Sequence, residues 1–256
     1  MPESGRGFTQ RRFCAAGAPW QTECCLMGNV NRRDNFGECV YCGHTARLTR
    51  DHIPPKCLFA SAKESDLIKV PSCSICNGSA SKDDEYFRLR VALRADVFGE
   101  PDVGGILPAI HRSLEREKAA GFRAAFFSSI EEVKATTPAG VYVGKRFAYN
   151  VDLDRLCRVP TRIVRGLFWQ QRGARLTDDY RIVTYALSAF HGAPDALAEL
   201  QVRLIAPLLT TEAINVGRAF SYWVKFVEED PAASAWMMRF YQRAIFLSMI
   251  LPGVAG

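Results

Sequence analysis

The sequence predicts an α+β protein in which a small thiol-rich unit precedes a larger α+β unit. Three observations point that way. Cys39-Val40-Tyr41-Cys42 and Cys73-Ser74-Ile75-Cys76 are two CxxC pairs, near enough in sequence to close around one small module. Apolar residues at helical spacing follow, first over 85–97 and again over 153–168. Aromatic and β-branched residues then dominate the segments from Phe220 to Val227 and from Trp236 to Leu251. A chain of 256 residues with 48% hydrophobic content can bury one substantial core or two modest ones. The expected organisation is a leader over 1–36, a metal module over 37–98 and an α+β C-terminal domain over 99–256.

Residues 1–36 are rich in Gly, Arg and Asn without periodicity, and Met27 offers a second start, so a disordered leader or a misassigned start is expected there. Pro54 and Pro55 remove two backbone donors and stiffen the chain beyond His52, as an exit from a hairpin requires. Tyr86, Phe87, Leu89, Val91 and Leu93 give 85–97 the apolar face of a helix, which Phe98-Gly99-Glu100-Pro101 ends. A charged helix is expected over 109–120, stopped by Gly121, and a strand over 141–150. Asn150 and Asp152 open a further helix that turns Leu153, Leu156, Ile163, Val164, Leu167 and Phe168 toward a core, with Pro160 as a kink or an internal first-turn residue. Another helix is expected near 194–208. The two aromatic runs read as two long strands separated by Glu229-Asp230-Pro231; their rings read as core, with base stacking as the alternative.

The CxxC pairs bracket Asp51-His52-Ile53-Pro54-Pro55-Lys56, and the second pair runs straight into Asn77. Thiolates two residues apart reach one ion from a tight turn, and two such pairs complete the tetrahedral shell of structural zinc. Cys39, Cys42, Cys73 and Cys76 are therefore a candidate zinc site, with reduced buried thiols or a redox pair as the alternative. Four thiolates leave no open position, so a reaction would fall to Asp51, His52 and Asn77 beside them. His44 is left to a solvated turn because the cysteines already fill the shell, and Cys57 reads as a half-buried thiol.

Taken together, CVYC, DHIPPK and CSICN resemble the HNH endonuclease family in its zinc-clasped form, whose pattern runs CxxC, DHxxP, CxxCN. The resemblance covers about residues 37–85. It implies a treble-clef-like ββα-metal module with Asp51 and His52 on a β-hairpin and Asn77 early on the helix. It implies His52 as general base, Asp51 and Asn77 as oxygen ligands of Mg²⁺ or Mn²⁺, and water attack on a phosphodiester that leaves a 5′-phosphate. A neutral imidazole with a pKa of roughly 6.5 accepts a proton at cellular pH, and oxygen donors suit a hard ion. The chain departs from the family pattern twice. Leu67-Ile68-Lys69-Val70 stands where the middle Asn is usual, so another group must orient His52. Ser81 stands where a His often follows the Asn by one turn. Asp84 and Glu85, which return to the helical face of Asn77, are the candidate substitutes; the alternative is that Lys82-Asp83-Asp84-Glu85 is a solvated charged face.

Arg50, Lys56 and Lys82, together with Arg47, ring the motif as candidate phosphate contacts, and a formal net charge of +6 suits a polyanionic partner. Nine scattered cysteines do not make a disulfide framework, which points to a cytoplasmic protein, and no apolar stretch approaches the roughly 18 to 20 residues of a membrane span. The functional expectation is a metal-dependent endonuclease that hydrolyses DNA, with RNA left open, carrying zinc and Mg²⁺ or Mn²⁺ and having no membrane partner. The alternative is a zinc-clasped nucleic-acid-binding module that does not cleave, to which the absent middle Asn points. A third is a finger that only staples the C-terminal domain.

Overall fold

Phe36–Glu38 (β1), Thr45–Ile53 (β2) and Ile68–Cys73 (β3) pair antiparallel in the order β1-β2-β3 in the computed structural model, which describes residues 35–60, 67–137, 139–190 and 194–253. The leader expected over 1–36 falls almost wholly outside the described residues. β3 runs directly into Ser74–Ser79 (α1), and Ser81–Ala92 (α2) follows; the Cys73 sulfur caps α1 by accepting from the Cys76 N–H at 3.4 Å. The helix expected over 85–97 ends sooner, at Ala92, and a short 3-10 turn over Ala95–Val97 leads into the Phe98–Pro101 break, with Gly99 at φ +92° and Pro101 at the first turn of Pro101–Glu115 (α3). The charged helix expected over 109–120 thus begins earlier, and Gly121 does not stop it. Gly121 lies inside Ala120–Ser128 (α4), after the short turn Glu117–Ala119.

Ile130–Thr136 (β4) and Tyr142–Tyr149 (β5) form a two-stranded ladder, of which the sequence indicated only the second strand. Leu153–Arg172 (α5) is capped as expected, with Asp152 Oδ1 accepting from the Arg155 N–H at 2.9 Å, and Gly173 at φ +70° closes it. Next come Tyr180–Ala186 (β6), Pro194–Leu200 (α6), a π-helical turn over Gln201–Ile205 and Ala206–Leu209 (α7). The last four strands are Ile214–Val216 (β7), Phe220–Phe226 (β8), Ser234–Phe240 (β9) and Ala244–Pro252 (β10). With β6 they make an antiparallel sheet in the order β6-β10-β9-β8-β7.

The single long strand expected from Trp236 to Leu251 is instead a hairpin, because Tyr241 and Gln242 take φ +47° and +60° and reverse the chain. Positive φ in a bulky residue costs on the order of 1–3 kcal/mol. Burial of the Tyr241 ring and its hydroxyl, which donates to Leu58 O at 2.8 Å, offset that cost. The strand aromatics are core, as the commoner reading has it: Phe220, Tyr222, Trp236 and Phe240 are all within 1% of full burial.

One hydrophobic cluster joins Val40, Ile53 and Val70 to Phe87, Ile163, Leu167 and Trp236, so packing is continuous across residue 98. The Phe87 ring sits 5.0 Å from Phe240 and 5.3 Å from Phe246. α5 lies between the two larger sheets, and Gly166 is what lets it approach the first. A Cβ there would fall 1.7 Å from Ile53 Cδ1 and 3.0 Å from Ile53 Cγ1. Gly166→Val is therefore expected to destabilise the chain by roughly 1–3 kcal/mol through overpacking. Gly121→Ala, with nothing within 4 Å of its new carbon, should instead be neutral or stabilise by up to about 1 kcal/mol from helix propensity. Urea unfolding of the two variants checks the contrast.

Candidate metal centre and the adjoining carboxylate cluster

The chain reverses between β1 and β2 through Cys39-Val40-Tyr41-Cys42-Gly43. Gly43 N–H donates to Cys39 O at 2.9 Å, Cys39 N–H donates to His44 O at 3.0 Å, and Gly43 takes φ +73°. This knuckle is anchored to β3 by Val40 N–H donating to Pro71 O at 3.0 Å. Arg175 packs over it, pairing with Glu38 at 3.0 Å and Asp178 at 3.2 Å, and a Cβ on Gly43 would meet its guanidinium at 2.9 Å.

The second pair enters from the other side, Cys73 ending β3 and Cys76 lying in α1. The four sulfurs all lie within 4.8 Å of one another, and Cys42 Sγ is 3.9 Å from Cys73 Sγ. Thiolates about 2.3 Å from a tetrahedral zinc stand about 3.8 Å apart, so this cluster could hold a metal ion such as zinc. Cys39 is buried, which would raise its pKa, yet N–H groups of Cys73, Cys42 and Tyr41 directed at the sulfur outweigh burial and bring it down to about 6. Burial first, and then its cysteine neighbours, push the Cys76 thiol up. One sulfur is thus already poised as a thiolate, and a metal would displace protons from the rest.

Asp51 and His52 both lie on β2, Asp51 opposite Val70 and His52 opposite Lys69 of β3. Adjacent strand positions face opposite ways. Thr49, Asp51 and Ile53 share the side toward α5, whereas Arg50 and His52 share the other. Asn77 in α1 joins the Asp51 side, its amide donating to Thr49 Oγ1 at 3.0 Å, and Thr49 Oγ1 donates to Ser72 O at 2.8 Å.

Asp51 is 8% exposed, and its Oδ2 accepts from Tyr41 Oη at 2.5 Å and from an Arg162 N–H at 2.6 Å. Arg162 projects from α5, also approaches Asp84 at 3.6 Å, and lies 4.9 Å from the centre of the Tyr41 ring. Burial, more than the neighbouring Asp51 charge, raises the Tyr41 hydroxyl well above its usual range, so it stays a donor. Burial likewise lifts Asp84 to about 6, against the pull of Arg162. Asp84 and Glu85, paired as candidates in sequence, separate in space. Asp84 joins Asp51 around Arg162, while Glu85 turns to α3, accepting from Ser113 Oγ at 3.0 Å and Arg116 at 3.5 Å. Arg50, Lys56 and Lys82 are exposed.

Tyr41 and Arg162 are the site residues that sequence reasoning passed over. Tyr41 sits inside a CxxC, where a residue between ligands draws no notice. Arg162 is 111 positions from Asp51 on a helix with no motif.

Comparison with family models finds none that matches the chain. Comparison with curated proteins and with solved structures finds no match either.

Cys73→Ser opens the four-sulfur cluster and is expected to lower both the metal the chain can bind and its melting temperature, because an ion held only by the folded chain adds its binding free energy to folding; metal analysis alongside thermal unfolding checks both. Arg162→Met leaves the buried Asp51 and the half-buried Asp84 without their cation and is expected to cost at most roughly 3–5 kcal/mol, the range for breaking a fully buried pair, in urea unfolding.

Proposed function

We propose that this chain is a metal-dependent HNH-like endonuclease that hydrolyses DNA phosphodiester bonds. One arrangement carries the proposal. The antiparallel β2–β3 pair runs into α1 in ββα order, the four-sulfur cluster binds its ends, and Asn77 reaches back to the side of β2 that carries Asp51. The cysteines hold zinc in a structural role, since four sulfurs leave no position for substrate.

Asp51, Asn77 and Asp84 are the residues that would hold a Mg²⁺ or Mn²⁺ ion. They are oxygen donors, as a hard cation requires, and Asp84 Oδ1 is buried without a hydrogen-bond partner among the described residues. When bound, such an ion polarises the phosphoryl oxygen and stabilises the leaving oxygen. His52 lies at the next strand position and faces away from Asp51, so it takes the proton of the attacking water only where the backbone at that end of β2 departs from regular strand geometry. Arg50, on the same side of β2 as His52, is placed to steady a phosphate there. Tyr41 fixes the Asp51 carboxylate by its short hydrogen bond.

A specific observation favours a second function, a nucleic-acid-binding module that does not cleave. Arg162 already supplies a positive charge to Asp51 and Asp84 at 2.6 and 3.6 Å, so a divalent ion recruited by these carboxylates competes with the guanidinium. Incubation of supercoiled plasmid with Mg²⁺ or Mn²⁺ distinguishes the two. Nuclease function predicts nicked or linear product that His52→Ala reduces by about 10²- to 10⁴-fold, the usual contribution of a general base, and that chelation abolishes. Intact plasmid, retained on a protein that keeps its zinc, would establish the binding module.

A further inference from the structure

We infer that a groove between α2, α3, α4 and the start of α5 binds the phosphate backbone of the DNA; the inference rests on the nuclease proposal and assigns its substrate path. Two adjoining clefts of about 510 and 430 Å³ share Tyr86, Phe122 and Arg155 as common walls. Lys82, Arg116 and Lys118 line the first cleft, and Arg90 and Arg155 line the second. The carboxylates in these walls are already engaged within the protein. Glu85 accepts from Ser113 and Arg116, and Asp152 caps α5. A basic surplus therefore remains facing the groove. α2 begins four residues beyond Asn77, so the Lys82 end of the groove lies next in sequence to the proposed reaction site.

The strongest sign of a missing anion is Arg90. It is 7% exposed, and its Nε and one terminal nitrogen have no hydrogen-bond partner among the described residues. Its guanidinium stands 5.0 Å from the Tyr86 ring centre, 4.8 Å from Phe126 and 5.0 Å from Tyr149. Ring faces attract the charge but accept no conventional hydrogen bond from its N–H groups, and no carboxylate pairs with it among the described residues. A buried cation with unmet donors at the wall of a solvent-filled cleft calls for an anion that brings acceptor oxygens. Phosphates spaced along one strand satisfy both clefts at once, meeting Lys82, Arg116 and Lys118 at one end and Arg90 at the other, while Arg155 stays paired with Asp83 at 2.9 Å.

The test is fluorescence anisotropy of a labelled DNA duplex titrated with the His52→Ala chain, which prevents cutting during the measurement, over about 50 to 200 mM salt. An added Arg116→Ala/Lys118→Ala pair removes two cations from exposed positions. The groove predicts weaker binding and a slope of log K against log salt shallower by about 1.8, from two lost phosphate contacts at about 0.9 each. Arg203→Ala, an exposed cation on the π-helical turn, should leave that slope unchanged. An unchanged slope and affinity in the double variant would overturn the groove, as would a parent chain that does not bind the duplex at all. Plasmid nicking by the wild type, read independently, separates a misplaced groove from a failure of the nuclease proposal. Unchanged zinc content and melting temperature in the double variant establish that lost binding is not lost fold.

Discussion

The Arg162 guanidinium is the interaction on which the rest of the described chain leans. It carries Asp51 of β2 and Asp84 of α2 on one half-buried cation and lies over the ring of Tyr41 in the knuckle. Three elements from the first part of the sequence are thereby fastened to α5. Such a network contributes little net free energy compared with an apolar replacement of the same shape, because each charge gives up hydration. Its force is conditional: once the carboxylates are buried, the guanidinium must be there. Gly166, about one turn of α5 beyond Arg162, supplies the matching steric condition by letting the helix backbone reach Ile53 and Val70.

Two further ties make the small sheet and the C-terminal sheet one body. Arg175, just beyond α5, braces the knuckle through Glu38. Tyr241, held in an unfavourable backbone conformation at the β9–β10 turn, donates to Leu58 just after the Asp51-His52 strand. A site built on β2 is therefore supported from three directions. Rigid support of that kind lets a few side chains hold a fixed geometry without a large pocket of their own.

Charge is spent unevenly over this surface. Arg155 and Arg158 both pair with Asp83, at 2.9 and 3.5 Å, and serve mainly to join α5 to α2. Arg90 is enclosed by aromatic rings instead. A surplus of +6 summed over the sequence says nothing of this division, since a cation beside a buried carboxylate and a cation beside open solvent count alike.

What the sequence by itself determined is local. The CxxC spacing brings pairs of sulfurs together, and Asp152 caps α5 by its own side-chain chemistry. The position of Asn77 just after the second CxxC was legible for the same reason: neighbours in sequence on a regular element are neighbours in space. The Tyr241–Gln242 turn was not, because neither residue type announces positive φ and only the burial and hydrogen bond of Tyr241 make it tenable. The parting of Asp84 from Glu85 was not legible either, since one position on a helix rotates a side chain by about 100° and the packing of α5 and α3 decides which partner each meets. Only the tertiary structure could join Arg162 to Asp51 across 111 residues: an ion pair leaves no spacing rule behind, and its partners are chosen by which helix the hydrophobic core sets against which strand.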